Sequence, residues 1–212
     1  LQELREQWKK FYEDHNLKQV ADLLPQKITL TPAQIETLKQ KVKEGYTRVI
    51  LVPAGIENHL QALKENLTDG LGKDDQGKLV PTYLSDTVKP HFPNQIETTD
   101  LNRKNKPYLL LTKPNEPLFP GSKNKTADAL IQELKAQGLS GLTLADYLIE
   151  ERHHFDETGT HLIDGSKELT WLLSSKAGAS RVLGAYWSPG DRRVRVLSYS
   201  SDDCDPHLGA RS

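Results

Sequence analysis

Up to Phe155 the apolar residues of this chain recur mostly at helical spacing, with a few strand-sized runs between, and beyond Gly159 they come in short strand-like pieces separated by turns. Such a change of period confines the sheet largely to the C-terminal quarter and the helices to the first two-thirds. The pattern predicts an α+β chain, because each apolar helix stripe must bury itself against another layer. Segments His161–Ile163, Leu169–Leu173, Val182–Trp187 and Val194–Tyr199 read as strands, separated by turns rich in Gly, Ser and Asp.

Upstream, Leu4, Trp8, Phe11 and Tyr12 mark one helix, and Leu17, Val20, Ala21 and Leu24 continue beyond an Asp14-His15-Asn16 break until Pro25. Thr31-Pro32 is an N-cap followed by Pro at the first helical position, opening a helix that closes at Gly45. Its residues Ile35, Leu38 and Val42 are expected to form a buried face. Arg48–Pro53 and Tyr108–Thr112 read as strands, Ile56–Leu67 and Thr126–Gln137 as helices. Thr143 and Asp146 offer a cap for a helix over Leu142–Phe155. Asp69–Gly77 reads as a polar loop, Leu79–Lys106 as irregular with one short strand near Tyr83, and the Pro114, Pro117 and Pro120 stretch as a loop.

A formal net charge of −1 excludes the strong basic footprint of a nucleic-acid binder. No apolar run is long enough to span a membrane. Leu1–Leu24 alternates charged and apolar residues and lacks the hydrophobic middle of a signal peptide, and with no Met at position 1 secretion stays open. A cytoplasmic or a cell-surface location is compatible with these features. The single Cys204 forbids an intramolecular disulfide and a multi-cysteine zinc site, and reads as a reduced thiol.

The candidate chemistry is sparse. Glu150-Glu151-Arg152-His153-His154 lacks the HExxH spacing of a zinc helix, and adjacent histidines on a helix point about 100° apart. A solvated helical face with one inward histidine is the expectation there. Asp202, Asp203 and Asp205 could offer carboxylates to Ca2+, but the EF-hand pattern is missing and an exposed acidic loop is the plainer reading. No GxSxG is present and no nucleophile has an assigned base, so the chain is not expected to be an enzyme.

The tail has an unusual alphabet. Its last 36 residues, Ala177 to Ser212, contain no Lys, Glu or Gln, although these make up 44 of the 176 residues before it. At that rate roughly nine would be expected. Met is absent throughout the chain. Ser, Gly, Arg, Asp, Tyr, Leu and His fill the tail instead, an alphabet close to that of an antibody paratope. Arg192-Arg193-Val194-Arg195 is its basic cluster, and on a strand Arg193 and Arg195 face one side while Val194 and Val196 face the other.

From Leu169-Thr170-Trp171-Leu172 through Arg181 and Ala185-Tyr186-Trp187-Ser188-Pro189-Gly190 to Val194-Arg195-Val196 and Leu208-Gly209-Ala210-Arg211-Ser212, the tail resembles the variable region of diversity-generating retroelement target proteins. Arg48–Gly55, Pro107–Glu116 and the Leu142–Phe155 helix look like the body of the same group. The resemblance implies a C-type lectin-like fold, akin to the formylglycine-generating enzyme type. It also implies adenine-directed mutagenesis, in which Asn codons scatter to codons that exclude Lys, Glu, Gln, Met and Trp. Trp187 would then be an unvaried framework residue. The enzyme branch uses cysteines that this chain lacks, so its oxidation chemistry is not carried over.

The resulting expectations are specific. Residues 1–45 form an N-terminal helical region, a possible tether or oligomerisation arm, and 46–212 a C-type lectin-like domain with a variable region at about 174–208. Val182, Ala185, Trp187, Val194, Val196 and Leu208 supply a core. Gly184, Tyr186, Ser188, Asp191, Arg193, Arg195, Leu197, Ser198, Tyr199, Ser201, Asp203, Cys204, Asp205 and His207 form the ligand-contacting, varied set. The partner is a protein or other macromolecule, not nucleic acid, and no cofactor or metal is required. The alternatives are a fixed-specificity lectin or adhesin using Ca2+, a degenerate formylglycine-generating-type enzyme, and a structural domain whose tail is merely low in Lys and Glu.

Overall fold

The computed structural model describes residues 1–212 except Asn115, Pro117 and Ser212, and the side chains of all the rest but Leu101 and Asn102. The loop reading at Pro117 and the end of the tail motif at Ser212 therefore lie outside the described residues. Mixed content, 34% helix and 23% strand, makes the chain α+β, with its largest sheet curled like half a barrel.

The N-terminal half builds a support. Helix α1 (Gln2–Asp14) and the short α2 (Lys18–Ala21) turn their apolar residues inward. Trp8, Tyr12, Leu17, Val20, Ala21 and Leu24 join the same core as the later strands. Helix α3 (Pro32–Lys43) starts on a complete capping box between Thr31 and Gln34. Its expected buried face is not buried: Ile35 is 40% and Val42 45% exposed, because no layer among the described residues covers it.

Strand β1 (Arg48–Val52) leads through a 3-10 turn (Ile56–His59), α4 (Leu60–Leu63) and a π turn (Lys64–Thr68). The expected helix over Ile56–Leu67 is thus three short turns of different pitch. The stretch read as a polar loop and irregular chain holds β2 (Gly72–Lys73), β3 (Leu79–Val80), β4 (Tyr83–Leu84), β5 (Ile96–Thr98) and α5 (Leu101–Asn105). Strand β6 (Tyr108–Thr112) pairs antiparallel with β1. Helix α6 (Ala127–Ala136) is capped by Thr126. Helix α7 (Leu144–Thr158) opens on the Thr143–Asp146 capping box and closes at Gly159 in the left-handed conformation.

The tail supplies β7 (Leu169–Ala177), β8 (Arg181–Ser188), β9 (Arg193–Ser200) and β10 (Leu208–Ala210). The order is β10-β7-β8-β9-β4, with β5 on the far half of β7. The outer strands β10 and β4 run parallel to their neighbours, and the central ones are antiparallel. His161–Ile163, expected as a strand, is irregular. Its Ile163 carbonyl accepts the Trp187 N–H at 2.9 Å.

Both faces of this sheet carry apolar residues. Leu172, Leu183, Ala185, Trp187, Val194 and Val196 join the main core with α7. Trp171, Leu173 and Val182 form a second core with Ala127, Leu130 and Leu134 of α6. Val182 therefore does not share a core with Trp187, because alternation puts the two on opposite faces.

The acidic and histidine cluster of α7 is not solvated. Glu150 and Glu151 are fully buried and His154 nearly so. Glu150 takes two hydrogen bonds from Arg211, at 2.7 and 3.0 Å. Glu151 accepts the Leu162 N–H at 3.0 Å and faces His161 Nδ1 at 2.7 Å. Each buried carboxylate finds its partners far along the chain, which helical periodicity does not reveal.

Candidate functional site

Register places the tail side chains. In β8 and β9, Tyr186 stands opposite Arg195, Ser188 opposite Arg193, Gly184 opposite Leu197 and Val182 opposite Tyr199. Directly paired residues share a face, so Tyr186, Ser188, Arg193, Arg195, Leu197 and Tyr199 lie on one side. Trp187, Val194 and Val196 lie on the other. Helix α6 covers only the Val182 end, where Tyr199 packs edge-on against Trp171 at 5.5 Å. The remaining residues are half-exposed.

The centre of this surface is Arg195. Its guanidinium lies 4.9 Å from the Tyr83 ring centroid, bonds Asp191 at 2.5 Å and reaches the Tyr186 hydroxyl at 3.5 Å. Ser188 donates to the same Asp191 carboxylate at 3.0 Å. A row of tyrosine, arginine and aspartate thus crosses the sheet. Such groups stack on rings and bond planar anions or amides, as binding hot spots do. Sequence reading missed Tyr83, because only the parallel pairing of β4 with β9 brings it beside Arg195. The short strand expected near Tyr83 was the available signal.

Tyr199 links this row to the loop that follows. Burial first, then the nearby Tyr186, Asp205 and Asp203, push its phenol up to about 12. It therefore keeps its proton at neutral pH and offers a donor. The loop 201–207 is held chiefly by main chain: Ser201 O accepts from Ala127 N at 3.0 Å and Asp205 O from Asn124 N at 3.1 Å. Ser201 is half-exposed, while Asp203, Cys204, Asp205 and His207 are exposed. Asp203 and Asp205 also close local turns onto the N–H groups of Ser200 and His207. Among the described residues, no three His, Cys, Asp or Glu converge as a metal site.

Two members of the expected set are not on the surface. Ser198 has the opposite parity and points inward, bonded to Arg181 Nε and to Thr87, both at 2.9 Å. Gly184 has the right parity but is buried, since a Cβ there would stand 2.9 Å from the Tyr199 ring. It is a floor on which that ring rests. His207 lies toward the β10 edge, its ring 3.1 Å from Lys167 O. Three strand spacings, about 14 Å, separate the β10 edge from β9, which carries Arg195.

No protein-family model, curated protein or solved structure gives a match to this chain. No helix among the described residues is long and apolar enough to cross a membrane.

Proposed function

We propose that this chain is a non-catalytic display protein, a diversity-generating retroelement target with a C-type lectin-like C-terminal portion. Its ligand surface comprises Tyr186, Ser188, Asp191, Arg193, Arg195, Leu197 and Tyr199, extended by the loop 201–207. The observation that carries the reading is the split between the two faces. Tyr186, Ser188, Arg193, Arg195, Leu197 and Tyr199, all within the restricted alphabet, stand on the half-exposed face, and the one tail residue of an excluded type, Trp187, is buried on the other face with Val194 and Val196. The main-chain bonds under the loop add support, because they hold the backbone whatever side chains it bears.

The gene's flanking DNA tests the origin of the surface. A near-copy of the tail should carry adenines at the codons for Tyr186, Arg193, Arg195 and Leu197 but encode Trp at 187, with a reverse transcriptase nearby. A complete locus lacking both refutes the proposal. A protein-level test is a panel randomised at Ser188, Arg193, Arg195, Leu197 and Cys204. Most members should unfold within a few degrees of the parent, since exposed substitutions typically cost within about 0.5 kcal/mol. General loss of cooperative thermal unfolding would show that these side chains hold the fold instead.

A further inference from the structure

Strands β1 and β6 form a separate two-stranded sheet with two edges. On the β1 edge, Trp8 Nε1 donates to Val49 O at 3.0 Å and the Tyr12 hydroxyl to Leu51 O at 3.1 Å. Those carbonyls point away from β6. Val49 faces Leu111 and Leu51 faces Leu109 across the ladder. In an antiparallel ladder both members of such pairs turn their N–H and C=O outward. Leu109 and Leu111 therefore present their peptide groups on the far edge of β6. Among the described residues, no backbone or side-chain group accepts either N–H there.

The guards of this edge stand only at its ends, Lys106-Pro107 before it and Lys113-Pro114 after it. Tyr108 to Thr112 contain no charge and no Pro, and their pairing with β1 has no bulge. Over the face of the sheet that carries Leu51, Leu109 and Leu111 lies an apolar groove of about 530 Å3, closed on its other side by Ile28, Leu30 and Leu38. Its rim, α3, leaves Ile35 and Val42 uncovered. We propose that the β6 edge pairs with a second copy of this chain, antiparallel about a two-fold axis at Leu110.

The edge is self-complementary in that register. Leu109 exchanges both hydrogen bonds with Leu111 of the second copy, and Leu111 with its Leu109. Lys106 and Lys113 come to stand beside Pro114 and Pro107 of the second copy, so no like charges oppose. Parallel pairing in register would set each lysine against its own counterpart. The interface is isologous, as closed dimers require.

The full chain should sediment as a dimer of twice 23.9 kDa at high concentration and dissociate on dilution. The Leu109 and Leu111 amides should be protected from hydrogen exchange in the dimer alone. Leu109→Pro removes an outward N–H and spares the ladder to β1. Leu111→Lys sets a charge in the seam. Both variants should be monomeric and still unfold cooperatively, at a temperature lowered by the lost side-chain packing. If Leu109→Pro does not fold, Leu111→Lys decides alone. A parent that is monomeric at every concentration overturns the proposal, and so does a dimer that survives the folded variants.

Discussion

Replacing Arg211 with methionine should lower the unfolding free energy by about 3–5 kcal/mol, the usual effect of breaking a buried ion pair. The side chain is 2% exposed. Besides its two bonds to Glu150, it donates to Lys113 O at 3.0 Å and to Glu116 O. It ties the end of the tail to α7 and to the chain after β6. Methionine fills much of the space but leaves Glu150 charged in a dry site, where Arg48 Nη1 at 3.7 Å is the remaining cation. Urea unfolding of Arg211→Met beside Arg211→Met/Glu150→Gln separates the effects. If charge is the cause, the double variant recovers much of the loss. If packing is the cause, it recovers nothing.

The same cluster sets an acid response. Burial would raise the Glu150 carboxyl, but the charge and hydrogen bonds of Arg211, then Thr112 and Arg48, hold it below its ordinary 4.5. The unfolded chain therefore binds this proton more readily than the fold does. Stability from Glu150 is complete above pH 4.5 and is lost as pH falls through the lower folded value. Burial, then Arg48 and Arg211, lowers His154, so its share starts to fall below 6.5. Acidification from neutral should destabilise the parent in both windows, and Arg211→Met should show a shallower loss below pH 4.5. An unchanged slope in that variant would remove the linkage.

Trp187→Ala should cost about 3–5 kcal/mol, in the range for truncating a buried aromatic. The indole stacks on His161 with ring centroids 3.4 Å apart, and His161 stacks in turn on Phe155 at 4.9 Å. Nothing small fills such a gap, because Gly72 and the loop before β7 pack directly against it. Leu197→Ser and Cys204→Ser, on the half-exposed face and in the loop, should cost no more than about 1 kcal/mol. Guanidinium unfolding of the three variants measures the contrast. Equal losses at all three positions would mean that the division between framework and displayed residues is wrong.

Local chemistry made much of this legible. The caps at Thr31, Thr126 and Thr143 start their helices where the sequence places them. Alternation in β8 and β9 assigns Arg193 and Arg195 to one face and Val194 and Val196 to the other. The same rule separates Ser198 from Leu197 and Tyr199, so including all three in one surface ignored parity. Gly184 could not be excluded that way, since its burial comes from a ring on the neighbouring strand. The burial of Glu150 depends on Arg48 and Arg211, one far before it in the chain and one far after. Local spacing carries no trace of such partners. Nor does a helical stripe state whether anything covers it, as Ile35 and Val42 illustrate.

The short parallel pairing of β10 with β7 brings the two ends of the tail together. Leu208 lies beside Leu169, and Leu169 N bonds His207 O at 2.8 Å, so the chain departs and returns within one strand spacing. Residues 172 to 207 are thus a closed excursion whose two ends meet where Trp171 pairs with Ala210. Grafting it whole into another chain would therefore carry along Leu172, Leu183, Ala185, Trp187, Val194 and Val196, most of the sheet's share of the main core.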